Sequence, residues 1–429
     1  MTVGSAVIPV PRKRTRQLLS TSAGNLVEWY DWLAYAFLTT YFADQVFPSA
    51  GNRLVPLLSA FAVFAVGFVM RPIGGLVIGA IADRAGRRPA MTLTIALMGV
   101  GQLMMAALPT YAQAGLLSPL LLILIRLIQG FSVGGEFAVS SVFLVESATP
   151  GRRGLFSSFS YFSSNLGQLL AAGVASLLGN ALSQGDMTSW GWRLPFVLGA
   201  ALSLLGLWVR YGTEETYVHA EAIRKGRVER PGLFDFLRRH PKESMLVVGM
   251  TLGATVSFYT WSIYLPTYAE ITVGADPART LTVGTIALAF FTVIQPLGGL
   301  LADRVGRKPL LVAFGVGMTV LTVPMLGMLR DSFWNLLLIS CVAMVLLTGY
   351  TAVCSAVMVE LFPAKVRTTG IGLPYAVTVA LFGGTAPYIA TALADAGQRQ
   401  AFGWYATALT LISTVVYIRM RETKNAVLD

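Results

Sequence analysis

Five ionisable side chains sit inside stretches that are otherwise strongly apolar: Glu28 and Asp31, Arg71, Arg126 and Glu136. Their types limit what they can do. A guanidinium offers a fork of N–H donors that matches a carboxylate, so Arg71 and Arg126 suit a negatively charged ligand. A carboxylate beside an arginine can take up a proton and release its partner. Asp31, with Glu28 three residues before it, therefore suits proton exchange with Arg126. The plainer alternative is that each arginine pairs with Asp31 or Glu28 and only holds helices together. Glu136 follows Arg126 by ten residues, roughly 80° around a helix, and faces something else, either a packing contact or a gate.

The elements that position these groups are apolar segments of membrane-spanning length. Mean hydropathy is +0.66, and 55% of the 429 residues are hydrophobic while 12% are charged. Soluble domains carry about twice that charged fraction. Twelve apolar spans are expected, at 17–42, 54–82, 90–109, 117–145, 154–182, 193–211, 244–271, 279–302, 309–329, 333–360, 366–393 and 400–419. Each reaches the ~20 residues that a bilayer core demands of a helix. At about 1.5 Å per residue, Asp31, Arg71, Arg126 and Gln168 all fall near the middle of the bilayer. Asn165 shares a helix face with Gln168. Tyr259, Trp261, Tyr264, Tyr350, Tyr375 and Tyr388 are candidates for a facing wall, with Tyr259 and Tyr375 placed among the substrate-binding set.

The chain is written twice. Gly79, Asp83, Arg84, Gly86, Arg87 and Arg88 recur as Gly299, Asp303, Arg304, Gly306, Arg307 and Lys308. Glu146 with Arg153 resembles Glu360 with Arg367 in the same way. Asp83 can cap or pair across helices, and the arginines can pair with carboxylates such as Glu146. Gly79, Asp83, Arg84, Arg87, Arg88, Glu146, Asp303, Arg304, Arg307 and Glu360 are thus expected to form a gate at one face. Repeated halves with a site between them are a transporter architecture.

The expected organisation is a tail at 1–16, a six-helix bundle at 17–211, a charged linker at 212–243, a second bundle at 244–420 and a tail at 421–429. With both termini inside, inner segments hold 25 of the 32 lysines and arginines and outer segments five. This imbalance orients the chain with its termini in the cytoplasm. It also accounts for the net charge of +11 without nucleic acid as a partner. No signal-peptide pattern precedes the first span. Cys341 and Cys354 lie about 20 Å apart on one helix, too far to bridge. His219 and His240 fall in the polar linker, so no metal site is expected. No nucleophile elbow or phosphate loop is present, which argues against an enzyme.

The doubled Gly-x3-Asp-Arg-x-Gly-Arg-Arg motif, together with Arg126-Leu-Ile-Gln129-Gly130, resembles the major facilitator superfamily. Asn25-Leu-Val-Glu-Trp-Tyr-Asp31, Arg71-Pro-Ile-Gly-Gly75 and Gly130-Phe-Ser-Val-Gly-Gly-Glu136 are similar to its metabolite:proton symporter family. Trp190-Gly-Trp-Arg-Leu-Pro-Phe196 and Glu360-Leu-Phe-Pro-Ala-Lys-Val-Arg367 extend that likeness over nearly all of 20–420. The resemblance implies an all-α membrane fold of two pseudo-symmetric six-helix bundles. It also implies proton-coupled uptake of a dicarboxylate such as 2-oxoglutarate (alpha-ketoglutarate) across the bacterial inner membrane.

In related sugar:proton porters a Tyr-Asp pair and an arginine form the coupling pair; the matching residues here are Tyr30, Asp31 and Arg126. Gly167-Gln168-Leu169-Leu170 matches a segment whose glutamine faces substrate in those porters. Arg71 has no counterpart there, which fits an acidic cargo. Ala85 stands where the 2-oxoglutarate carriers of the family have a histidine, so nothing is carried over for that position. Other solutes of the family are citrate, shikimate, aromatic acids and osmolytes of the betaine or proline type. Beyond the substrate, the bilayer and the proton as coupling ion, no cofactor is expected, and the chain is expected to act as a monomer.

Overall fold

A computed structural model describes residues 11–48, 54–211, 232–424 and 426–428. The expected tails and the linker 212–243 therefore lie partly outside the described residues, His219 among them. Twelve long helical segments run through the rest. They are α1 (Pro11–Val46), α2 (Leu54–Ala85), α3 (Arg87–Ala106), α4 (Leu117–Ser147), α5 (Arg153–Ala181) and α6 (Leu194–Tyr211). Then come α7 (Pro241–Phe258, continuing through a π-helical turn at Tyr259–Tyr264 to Leu265–Val273), α8 (Pro277–Val305) and α9 (Arg307–Gly327). The last are α10 (Phe333–Thr351, then Cys354–Leu361), α11 (Arg367–Thr378, a π-helical turn at Val379–Gly383, then Ala386–Asp395) and α12 (Arg399–Arg419). Each overlaps one of the apolar spans expected from the sequence, with ends that differ by a few residues.

Ten of these segments are long and apolar enough to cross a membrane. The remaining two, α1 and α5, carry the polar groups of interest: Asn25, Glu28 and Asp31 on the first, and Ser157, Ser160, Asn165 and Gln168 on the second.

Lipid gives little hydrophobic drive for helices to associate, so close packing through small residues takes its place. The α2–α4 contact shows this: Gly130 faces the backbone of Gly67, and Gly134 faces the backbone of Arg71, with no room for a Cβ at either position. One buried apolar cluster lies wholly within α1–α6, from Tyr30 to Phe196. A larger one fills α7–α12 and reaches across to Val142 of α4 and Tyr161 of α5. Between the halves, α2 packs on α11 and α5 packs on α8.

The repeated glycine-acid-arginine motif makes the sharp turns that join α2 to α3 and α8 to α9. Gly86 has φ 111° and Gly306 φ 106°, a region that side chains rarely tolerate. Some of the arginines counted with the inner segments are buried. Arg210 and Arg367 are 2% and 1% exposed, because each is held by a carboxylate from a distant helix.

Candidate transport site

Three polar assemblies occupy the helix bundle. The first surrounds Asp31, which is fully buried. Its Oδ1 accepts hydrogen bonds from Gln102 Nε2 and Gln129 Nε2, both at 2.8 Å. Its Oδ2 accepts from Arg126 Nη1 at 3.2 Å. Arg126 also lies 3.7 Å from the ring centre of Tyr35, and its Nε and Nη2 have no hydrogen-bond partner. The expected pairing of Asp31 with Arg126 is thus present, while Gln102 and Gln129 went unassigned in the sequence. They are neutral side chains on two further helices, and no spacing pattern links them to Asp31.

The second assembly joins Glu136 to Arg210 at 2.7 Å. Thr94 donates its hydroxyl to Glu136. Arg210 also donates to the carbonyl oxygens of Met91 and, at 3.3 Å, Ser20. Glu136 therefore ties α4 to α1, α3 and α6 and faces away from the Asp31 cluster. Of its two expected roles, the packing contact matches this geometry.

The third assembly is doubled and lies at the face that carries the repeated motifs. Asp83 of α2 accepts hydrogen bonds from the backbone N–H groups of Thr368 and Thr369 at 3.1 and 2.9 Å and from the Thr369 hydroxyl at 2.6 Å. It thereby caps α11. Asp303 of α8 does the same for α5, accepting from the N–H groups of Gly154 and Leu155 at 2.7 and 2.9 Å. Beside the first cap, Glu146 binds Arg367 at 2.7 Å and Arg87 at 3.4 Å. Beside the second, Glu360 binds Arg153 at 3.4 Å and Arg307 at 3.5 Å. A carboxylate at a helix amino terminus meets free N–H donors and the positive end of the dipole, so each cap fastens one half to the other.

Gly79 packs 3.1 Å from the backbone of Thr369 at this contact, measured to the position a Cβ would take. Arg88 donates to the carbonyl of Tyr211 at 2.8 Å, and the carbonyl of Arg304 accepts from Lys424 at 2.8 Å. Arg84 is at the edge of the same face. Glu422, which the sequence reading did not single out, accepts from the N–H groups of Arg307 and Lys308, both at 2.9 Å. Burial opposes its ionisation, but those donors outweigh it and hold the carboxyl below its ordinary value of 4.5.

Between the halves lies a cavity that offers about 40 Å³ to the centres of water-sized molecules. Arg71 and Glu28 are the charged groups in its lining, and the wall is rich in aromatic rings: Trp29, Phe137, Tyr161, Phe258, Tyr259, Tyr350 and Tyr375. Arg71 precedes Pro72 in α2, and its guanidinium stacks 4.3 Å from the ring centre of Trp32 and 4.1 Å from that of Phe68. Among the described residues it forms no ion pair, and its Nε has no hydrogen-bond partner. Glu28, 6% exposed, likewise has no hydrogen bond or ion pair among the described residues.

Of the residues expected to contact substrate, Arg71, Tyr259 and Tyr375 line this cavity. Arg126, Asn165 and Gln168 do not; Gln168 is turned to Asn165 at 3.5 Å. Of the other candidate wall aromatics Tyr350 is in the lining, whereas Trp261 and Tyr264 are buried elsewhere and Tyr388 is 78% exposed. Thr251 and Thr255 also belong to the lining.

Residues 18–231 match the sugar (and other) transporter family, and residues 250–428 match the major facilitator superfamily. The alpha-ketoglutarate permease of Escherichia coli (strain K12) is 39% identical over 96% of this chain and 94% of its own length. The chain belongs to the major facilitator superfamily.

Another relative is the citrate-proton symporter of Salmonella typhi, 33% identical over 90% of this chain and 89% of its own length. The glycine betaine/proline/ectoine/pipecolic acid transporter OusA of Dickeya dadantii (strain 3937) is 31% identical over 96% and 84%. The proton:xylose symporter XylE, solved with 6-bromo-6-deoxy-D-glucose, superposes with a TM-score of 0.78 over 97% of this chain and 98% of that one at 21% identity, a likeness of fold alone. The chain is a multi-pass membrane transporter and not an enzyme.

Proposed function

We infer that this major facilitator protein takes up a dicarboxylate such as 2-oxoglutarate together with protons, by alternating access across the bacterial inner membrane with both termini in the cytoplasm. The observation that carries the reading is Arg71. It is a buried guanidinium in the wall of the central cavity, stacked on Trp32 and Phe68, with Glu28 in the same wall but no carboxylate among the described residues at ion-pair distance. A charge at such depth is costly unless it is compensated, and a substrate carboxylate supplies the compensation. Similarity to the alpha-ketoglutarate permease and the citrate-proton symporter points to the same class.

Asp31 is the proton carrier in this reading. Its proton displaces Arg126, whose release loosens α1 from α4. Glu28, on the cavity wall one turn before Asp31, gives the substrate a second proton-exchanging neighbour. At the motif face the two caps and their arginine–glutamate pairs hold the inner side shut, and parting them opens the cavity to the cytoplasm.

A second reading has its own support. One arginine, one carboxylate and an aromatic wall also suit a zwitterion, since aromatic faces attract quaternary ammonium groups, and OusA is similar over most of the chain. A competition panel separates the two. Organic acids, proline and glycine betaine are tested against labelled 2-oxoglutarate in proteoliposomes at two external pH values. The dicarboxylate reading expects inhibition by dicarboxylates, none by betaine, and faster uptake at the lower pH. Betaine-sensitive uptake with no response to dicarboxylates establishes the zwitterion reading.

A further inference from the structure

The cavity has a second polar group on the half of the molecule that does not carry Arg71. Thr251 of α7 and Tyr350 of α10 are 1–2% exposed and both line the cavity; their hydroxyls neighbour each other, and neither makes a hydrogen bond of 3.5 Å or less to a described residue. The hydroxyls of Thr368 and Thr407 also lack a partner, but neither residue lines the cavity. Other buried threonines in its helices return the hydroxyl to the carbonyl four residues earlier, among them Thr260, Thr292, Thr348 and Thr351 at 2.7, 2.7, 2.8 and 3.1 Å. Buried tyrosines find distant carbonyls: Tyr30 bonds Pro195, Tyr35 bonds Ala60 and Tyr417 bonds Met250. An unsatisfied buried hydroxyl forfeits its hydration for nothing and requires a partner from elsewhere.

We propose that Thr251 and Tyr350 are specificity-determining residues that bind the substrate carboxylate distal to the one held by Arg71. The assignment rests on the dicarboxylate reading above and adds its second contact. The two polar groups come from opposite halves, Arg71 from α2 and the hydroxyl pair from α7 and α10. A molecule with acceptors at both ends draws the halves together, whereas one with a single carboxylate engages only the first half. Neutral donors suit the distal end because they satisfy a carboxylate without adding a second buried charge.

The test measures the preference for 2-oxoglutarate over 2-oxopentanoate, which has the same carbon chain and 2-oxo group but lacks the distal carboxylate. Both compounds compete with labelled 2-oxoglutarate in proteoliposomes containing the whole chain. Thr251→Val and Tyr350→Phe are each expected to weaken 2-oxoglutarate about tenfold, the usual effect of losing a hydrogen bond to a charged group, and to leave 2-oxopentanoate unchanged. Thr251→Ser, which keeps the hydroxyl, is expected to retain the wild-type preference. A preference unchanged in both variants, or equal weakening of both compounds, overturns the assignment while leaving the dicarboxylate reading intact. Absence of 2-oxoglutarate uptake by the wild-type protein overturns that reading and the assignment with it.

Discussion

Asp83 accepts both the backbone N–H and the hydroxyl of Thr369, at 2.9 and 2.6 Å, across 286 residues of chain. Asp303 repeats the arrangement at Gly154 and Leu155, so the contact between the halves is built from one device used twice. Replacing both acids with asparagine removes the charge–dipole attraction, worth about 1 kcal/mol at each cap, or about fivefold each in the open-to-closed ratio. Cys354 reports on this, because it is fully buried and its neighbour Ser355 bonds Ser141 and Ser160 of the other half. In a Cys341→Ser background, Asp83→Asn with Asp303→Asn should accelerate maleimide labelling of Cys354. An unchanged rate would remove the caps from the gate.

Asp31 is bonded on both oxygens, to two glutamines and one arginine. Asp31→Asn keeps the size and some of those bonds but can neither carry a proton nor neutralise Arg126. Proteoliposomes with this variant are expected to exchange labelled for unlabelled substrate and to fail to accumulate it against a gradient driven by pH. Undiminished pH-driven accumulation would refute the coupling role.

The Glu136–Arg210 pair predicts a stability effect of a particular pattern. Removing one member of a buried ion pair strands the other and costs about 3–5 kcal/mol, whereas replacing both with apolar residues costs far less. Arg210→Met should therefore lower the unfolding temperature in detergent more than Arg210→Met combined with Glu136→Leu. The opposite order would show that the pair is not the strut connecting α6 to α4.

The shifted titration of Glu422 predicts a pH dependence at the carboxy-terminal end. Its folded-state value is lowered, so its contribution is present above the ordinary glutamate value of 4.5 and is lost as pH falls through the folded value. Amide hydrogen exchange at Arg307 and Lys308 should speed up in Glu422→Gln at neutral pH, and acidification should bring the wild type toward the variant. Equal exchange in the two proteins at neutral pH would contradict the cap.

Much of the architecture is legible in the sequence because membrane spans announce themselves through length and apolarity, and a charge inside one stands out. Arg71, Asp31 and Arg126 were visible for that reason. Arg210 was not, since it lies at the end of a helix and its partner is 74 positions away. Gln102, Gln129, Thr251 and Tyr350 were hidden or ambiguous for another reason. They are neutral residues whose importance comes from which helix faces them, and periodicity does not report that. The π-helical turn of α7 shifts the register at Tyr259–Tyr264, so helical spacing alone could not have sorted Tyr259 from Trp261 and Tyr264.

The central claim is that Arg71 receives a substrate carboxylate through its paired N–H donors. Uptake of labelled 2-oxoglutarate by Arg71→Lys proteoliposomes tests it most directly, because lysine keeps the charge and loses the fork. The account predicts that the concentration for half-maximal uptake rises tenfold or more, in line with the loss of about 1.5–3 kcal/mol for a hydrogen bond to a charged group. Uptake indistinguishable from the wild type would contradict it.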